Sequence, residues 1–573
     1  MNGIFKCLER QLLIFSVAIA VIASTAFLFG GCCAVWQWYA AGLVALWIGS
    51  FGSERRVALR SSGCFILALG VMWGLSHTMI TRTWIDASAY HLPATRLLVE
   101  GWNPVLDSTP EKIAAFGGLQ IEDARFLMVM AMPKVAWVFN AVAAAFTGEV
   151  LNLFYPLFFV LALALGIHVW LVFRECGSWV GVLAVAFALS LLPPFNMPVD
   201  VAVTVGGIGL LVLMWRVLKG DRPDWIALFC FSFWLSASKQ TGALQCGVMW
   251  VVFAALTIRS WARFRQYALL GVVLAVAWII VSVAPFYTTW RNYGHPLYPC
   301  YTVDEAKYPV QDVVSDFKIQ NDDAASMGYL GRFANAYISS GLTRVYYGIK
   351  TGRKDFCPQA QFFTYGNDVP HPVTPTSTLY KAAFCALLVL VLILGRRPER
   401  WAYVIGLAAM FTVPKLMVGY GRYVPWLFWS GLLAVAIASE QRARFVRLSV
   451  FAAMVCSTIA LLGPSVLNFS ILVDQRYAAE KALAQKMIRS ATAVSQTTLS
   501  AVGALAARAY GLQGFERESK SSAVHFYTEE FCVDATVPKS YYRRIQENPN
   551  RASRLLGYPM LMLRSIPEFF SLL

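Results

Sequence analysis

Thirteen apolar runs, each long enough or nearly long enough to cross a bilayer, follow one another along this chain of 573 residues. They lie at about 12–30, 34–51, 63–80, 151–173, 178–195, 199–218, 225–237, 242–258, 267–287, 379–394, 401–418, 424–439 and 448–465. A helix perpendicular to a hydrocarbon core of about 30 Å needs about 20 residues, so some of these runs are short for a single crossing. Hydrocarbon offers a backbone no hydrogen-bonding partner, so such runs must fold as helices. With 58% hydrophobic and only 14% charged residues, the composition is that of a polytopic membrane protein. The expected fold class is an all-α integral membrane bundle of about 13 transmembrane helices.

Charge gives this bundle a direction. Basic clusters at 6–10, 54–60, Arg174, 216–222, 259–265, 396–400 and 442–447 all fall between runs on one parity. The positive-inside rule makes that side cytoplasmic, which puts the N-terminus inside and, after an odd number of crossings, the C-terminus outside. The net charge of +16 then reflects cytoplasmic anchoring. No nucleic-acid partner is expected, because no recognition motif accompanies the charge. The run at 12–30 lacks a small-residue cleavage site and reads as a retained helix.

The expected divisions are three N-terminal helices (1–80), a first large outer loop (81–150), core helices (151–287), a second outer loop (288–378), C-terminal helices (379–465) and an outer tail (466–573). Residues 131–148 are apolar but interrupted by Pro133, Lys134 and Asn140. Counting them as a crossing would invert every later basic loop, so they read as an amphipathic helix along the outer interface. The tail reads as a small, mostly helical extracytoplasmic appendage, with helix-friendly sequence at 480–489 and 501–508. Twelve cysteines show no zinc spacing, and no metal is expected. Cys300 and Cys357 share one outer loop and are candidates for a disulfide.

Against that topology, charges at the outer face stand out. The string WIDASAYHLP follows the third run directly, and an acid at a lipid boundary is costly to keep without a task, which singles out Asp86 with Tyr90 and His91 beside it. Asp86 also suits the cap of a helix starting near Ala87. His91 reads as an orienting group, since no second histidine stands at ligand spacing. Basic residues should be scarce here, yet Arg82, Lys239, Arg291, Lys415 and Arg422 are all present. Lys239 sits in SASKQTG, a link with almost no loop, where a lysine either snorkels to the headgroups or meets an anion. Lys415 and Arg422, the latter followed by Tyr423, crowd one helix end and suggest a bound phosphate. Asp200, after LLPPFNMPV, opens a helix, where it either caps free amides or joins the outer-face site.

WIDASAYHLP with LLVEGWNPV, then MPKVAWVFNAVAAAFTG, VDVAVTVGGIGLLVL, LSASKQTGALQ, TTWRNYGHPLYP and GRYVPWLFWSGLLAV resemble, in order, the motifs of bacterial GT-C membrane glycosyltransferases, above all the protein O-mannosyltransferase-like enzymes. The resemblance spans residues 84–435. The chain departs from that pattern in two additional helices before the usual first one, in a single Asp86 where an acidic pair is usual, in Gly294-His295-Pro296 where Gly-Asn-Pro is common, and in its tail.

The resemblance implies a GT-C-type bundle in the bacterial inner membrane that uses a polyprenyl-phosphate sugar donor at the extracytoplasmic face. A phosphate leaves without protonation, so one carboxylate suffices. Asp86 would be the base on the acceptor hydroxyl, and Lys239 with Arg422, Lys415 and Arg82 would bind the donor phosphate. Tyr90, His91, Asp200, Arg291 and Tyr423 would support the substrates. Attack in line implies inversion, with a glycan, lipid or protein as acceptor and no cofactor. The loop at 288–378, with Tyr329, Tyr346 and Tyr347, suits either sugar stacking or an assembly role. Two other classes fit the residues: a polysaccharide polymerase or ligase with a lipid-diphosphate donor, and a transporter or lipid flippase. The absence of an internal repeat and the clustering of charges at one face speak against the transporter.

Overall fold

The computed structural model describes residues 2–78, 91–109, 111–113, 129–147, 155–192, 198–258, 260–296, 389–412, 429–440, 444, 447–455 and 458, and three short strands in the tail. Its helices are α1 (Asn2–Leu28), α2 (Val35–Gly49), α3 (Arg55–Thr78), α4 (Leu92–Val99), α5 (Val135–Thr147), α6 (Tyr155–Phe173), α7 (Ser178–Ser190), α8 (Pro198–Leu218), α9 (Trp225–Ser238), α10 (Gln240–Thr257), α11 (Trp261–Ser282), α12 (Thr288–Tyr293), α13 (Arg397–Met410) and α14 (Ser430–Glu440). Among the described residues, six helical stretches are long and apolar enough to cross a membrane: Asn2–Leu28, Arg55–Gly74, Pro156–Cys176, Val199–Leu218, Gln240–Thr257 and Trp261–Tyr293. The protein is therefore a helical membrane protein. The other expected runs fall in shorter helices or outside the described residues.

α1 is the hub, touching α2, α3, α5, α6, α9 and α11. Its Phe15 is fully buried and takes Trp38 of α2, Phe65 of α3 and Phe139 of α5 edge-on, at 4.7, 5.5 and 6.1 Å between ring centroids. In a bilayer such packing, rather than water exclusion, holds helices together. α8 and α9 approach closely because residue 206 is glycine: a Cβ there would lie 2.6 Å from the Leu235 amide nitrogen.

Polar contacts sort to two ends of the bundle. At one end Arg10 donates to Asp224 (2.8 Å), Lys219 and Arg396 reach Glu440, and Arg216 pairs with Glu175. Three of the basic clusters, 6–10, 216–222 and 396–400, thus meet at this end. Asp224 caps α9, its carboxylate accepting from the Ala227 amide. Burial pushes its carboxyl pKa up, but Arg10 and Lys6 more than offset this and hold it below the usual carboxylate range. At the same end lies a buried pair, Glu9 Oε1 and His168 Nδ1 at 2.7 Å, whose Nε2 has no hydrogen-bond partner.

Three expectations are corrected. The stretch expected to be amphipathic is α5, whose residues Val135–Ala144 are buried on every side. Its polar groups are satisfied inside the fold and form no wet face: Asn140 donates to Ala136 O and accepts from the Leu157 amide. Residues 288–293, expected to open the second outer loop, are helical, because α11 continues past a kink at Pro285 into α12 and stops at Gly294, which has φ +75°. The described residues of the tail are strands and not helix: β1 (Ala493–Gln496), β2 (Val524–Thr528) and β3 (Val533–Val537) form an antiparallel sheet in the order β1-β3-β2. VHFYT and VDATV have the β-branched and aromatic content that favours a pleated surface.

Candidate functional site at the end opposite the basic clusters

Lys239 joins α9 to α10 with no loop at all. α9 ends at Ser238 and α10 starts at Gln240, leaving Lys239 alone in extended conformation (φ −139°, ψ 150°). The sequence SASKQTG builds this corner. Ser236 and Ser238 fold their hydroxyls back onto Phe233 O and Trp234 O, and Gly242 lets the second helix turn over the first, since a Cβ there would meet Leu235 O at 2.1 Å.

The Lys239 ammonium does not snorkel. It pairs with the carboxylate of Asp200 in the first turn of α8, and the two side chains are only 15% and 7% exposed. Two residues singled out separately in the sequence are thus partners, brought together by the close α8–α9 contact. A buried pair of this kind is held by geometry: removing one member strands the other charge in a poor solvent.

Next to this corner the polar side chains form a continuous strip. Gln240 donates to Ala131 O at 3.3 Å. The flanking carbonyls of Met130 and Met132 accept from Lys134 Nζ, the former at 2.8 Å. That ammonium also lies 5.2 Å from the centre of the Trp137 ring. Lys134 is 3% exposed, and burial pushes its pKa well below the usual lysine range. Trp137 in turn donates its indole N–H to His91 Nδ1 at 2.7 Å. From the far side Tyr293 brings its hydroxyl to Met130 Sδ at 3.7 Å. α4 and α5 pack against each other, so His91, at the head of α4, is fixed relative to Trp137.

Arg291 is placed elsewhere. It is exposed, and its Nη2 donates to Ser108 Oγ at 2.7 Å while Asn292 donates to Ser108 O. The pair latches α12 to the segment after α4. Asn103 of GWNPV also has a structural task, donating to Phe27 O and Gly31 O and accepting from the Val105 and Leu106 amides. It closes the end of α1.

The structure thus gathers Asp200, Lys239 and His91 at one end of the bundle. Asp86, Arg82, Tyr90, Lys415, Arg422 and Tyr423 lie outside the described residues, as do Cys300, Cys357, Tyr329, Tyr346 and Tyr347. Trp137, Lys134 and Gln240 were not singled out in the sequence as site residues. The signal for the first two was available, because a lysine three residues before a tryptophan at a helix start shares its face.

Chemically, the strip offers a buried lysine–carboxylate pair, a second buried lysine whose charge burial disfavours, and one imidazole whose neutral form carries its proton on Nε2. Such a site can hold an anion and orient a polar group beside it. Among the described residues, no three His, Cys, Asp or Glu side chains come together as metal ligands would. No family model, curated protein or solved structure matches the chain.

Proposed function

We propose that this protein is a GT-C-type glycosyltransferase of the bacterial inner membrane, with its basic end in the cytoplasm and the Asp200–Lys239 end facing outward. It moves a sugar from a polyprenyl-phosphate donor to an envelope glycan, lipid or protein. The observation that carries this reading is a buried, rigidly placed ammonium, Lys239, at the end of the bundle where a lipid-linked phosphate would meet water. A tail held in hydrocarbon and a phosphate at the boundary require a cation at that depth.

In this mechanism Asp86 accepts the proton of the acceptor hydroxyl as its oxygen attacks the anomeric carbon. The bond from that carbon to the phosphate oxygen breaks, the polyprenyl phosphate leaves with the electron pair, and the configuration inverts. Asp200 positions Lys239, and the departing charge is met by Lys239 together with Arg422 or Lys415. A preorganised cation of this kind is worth about 3 kcal/mol of barrier, roughly a hundredfold in rate. His91, held by Trp137, orients the acceptor side.

The test is mass spectrometry of lipid-linked sugars and envelope glycans from cells lacking the protein, complemented with the wild type or Asp86→Asn. Loss of one sugar with accumulation of its polyprenyl-phosphate donor, restored by the wild type alone, is the expected result. Full rescue by Asp86→Asn removes the base from the mechanism, and unchanged glycans remove the activity.

One observation favours a second reading, a transporter. Buried ionisable groups stand at both ends of the bundle, Glu9 with His168 at one and Asp200 with Lys239 at the other, and not at one face as the sequence led us to expect. In a transporter Glu9→Gln abolishes substrate movement in proteoliposomes while Asp86→Asn leaves it intact. The glycosyltransferase predicts no substrate movement in either.

A further inference from the structure

α2 and α3 both lean on α1, yet along most of their length they stand apart, leaving a lateral groove of about 520 Å³, within the range of about 300–1,000 Å³ usual for small-molecule sites. Its walls are apolar or aromatic throughout, with Trp38, Tyr39 and Leu43 on α2, Ile66 and Trp73 on α3, and Phe146 of α5 closing one side. Phe146 stacks on Trp38 at 4.8 Å with planes 10° apart, which fixes that wall. Gly42 and Gly70 keep the space open: a Cβ at either would meet no heavy atom within 4 Å.

Beyond the Leu46 end of this lining, α1 ties the two helices together. There Gln11 of α1 donates to Ser50 Oγ beside the end of α2 and to Ser62 Oγ on α3, and accepts from Ser61 Oγ, at 3.1, 3.3 and 2.7 Å. From this polar clasp the groove runs toward the Asp200–Lys239 end. Its lining from Leu46 to Trp38 rises through eight residue steps, about 12 Å at 1.5 Å per residue, close to one leaflet of a core about 30 Å thick. Tyr39 (60% exposed) and Trp73 (46%) stand at the open end, and these are the residue types that collect where hydrocarbon meets headgroups.

From these features we infer that the α2–α3 groove binds a single acyl chain of a phospholipid from the leaflet on the Asp200–Lys239 side. A docking transmembrane helix would need a channel through both leaflets, whereas the lining of this one covers about the length of one. A polyprenyl chain would far exceed it. This inference is independent of the glycosyltransferase reading.

The test uses the full-length protein reconstituted in phosphatidylglycerol vesicles containing a trace of the same lipid with a diazirine in its acyl chain. After illumination, the label is mapped by peptide mass spectrometry. Labelling should concentrate in peptides covering 35–49 and 61–74 relative to the exposed face of α11 around Leu269 and Val276. Gly42→Leu or Gly70→Leu should lower it by roughly fivefold or more, because filling an apolar pocket removes the space its ligand needs. Either variant serves alone if the other fails to fold, and the wild-type map is decisive by itself. Labelling no denser than at α11 overturns the inference. So does displacement of the label by an equal amount of polyprenyl phosphate, or a doubling of particle mass in light scattering that Gly70→Leu reverses, which would assign the groove to the carrier lipid or to a second copy of the chain.

Discussion

Trp137 donates its indole N–H to His91 Nδ1 at 2.7 Å, and both side chains are buried. A neutral His91 therefore carries its proton on Nε2. Trp137→Phe keeps the ring and removes the donor, so it should cost about 1 kcal/mol, the usual net worth of such a bond. Thermal unfolding in detergent measures it, and a loss below the resolution of the assay would show that the bond does not orient the imidazole.

The Lys239–Asp200 pair predicts non-additivity. Lys239→Met alone should destabilise by about 3–5 kcal/mol, since it leaves the Asp200 carboxylate in a buried site, whereas the double variant Lys239→Met, Asp200→Leu should recover most of that loss. A double-mutant cycle on unfolding free energies checks this; additive costs would show the two groups act independently.

Asp224 predicts a pH response with a defined sign. Its carboxyl is held below the ordinary value of 3.8, so its contribution is complete above pH 3.8 and is lost as the pH falls below that toward its folded value. Asp224→Asn should flatten the drop in melting temperature over this acid range. Asp224→Ala, which also loses the cap of α9, should cost about 1–2 kcal/mol at neutral pH.

Gly242→Ala should displace Lys239 without touching it. The added methyl would overlap Leu235 O, and an overpacked corner of this kind costs typically about 1–3 kcal/mol. If the proposed function holds, transfer should fall more steeply than stability does, as measured by initial rates and unfolding on the same preparation.

The helices were legible because each apolar run had to bond its own backbone, and Lys239 was legible because a lysine between two such runs is out of place. Its partner was not. Asp200 lies 39 positions away, and only the close passage of α8 over α9 at Gly206 brings them together. α5 was misread because Lys134 and Asn140 looked like a wet face, while their partners are carbonyls, an amide and a ring inside the fold. Trp137 was passed over, although Lys134 three residues before it pointed there, because an aromatic residue in an apolar stretch does not announce the one polar atom it carries. In the tail, helical patterns of about ten and eight residues drew attention away from the short segments that form its sheet.

The corner between α9 and α10 has a consequence for how anything reaches it. One extended residue joins the two helices, and glycine contacts leave no slack on either side. The ammonium of Lys239 is thus a fixed post. Whatever meets it must be carried there, by its own diffusion in the bilayer, while the post itself stays where the helices set it.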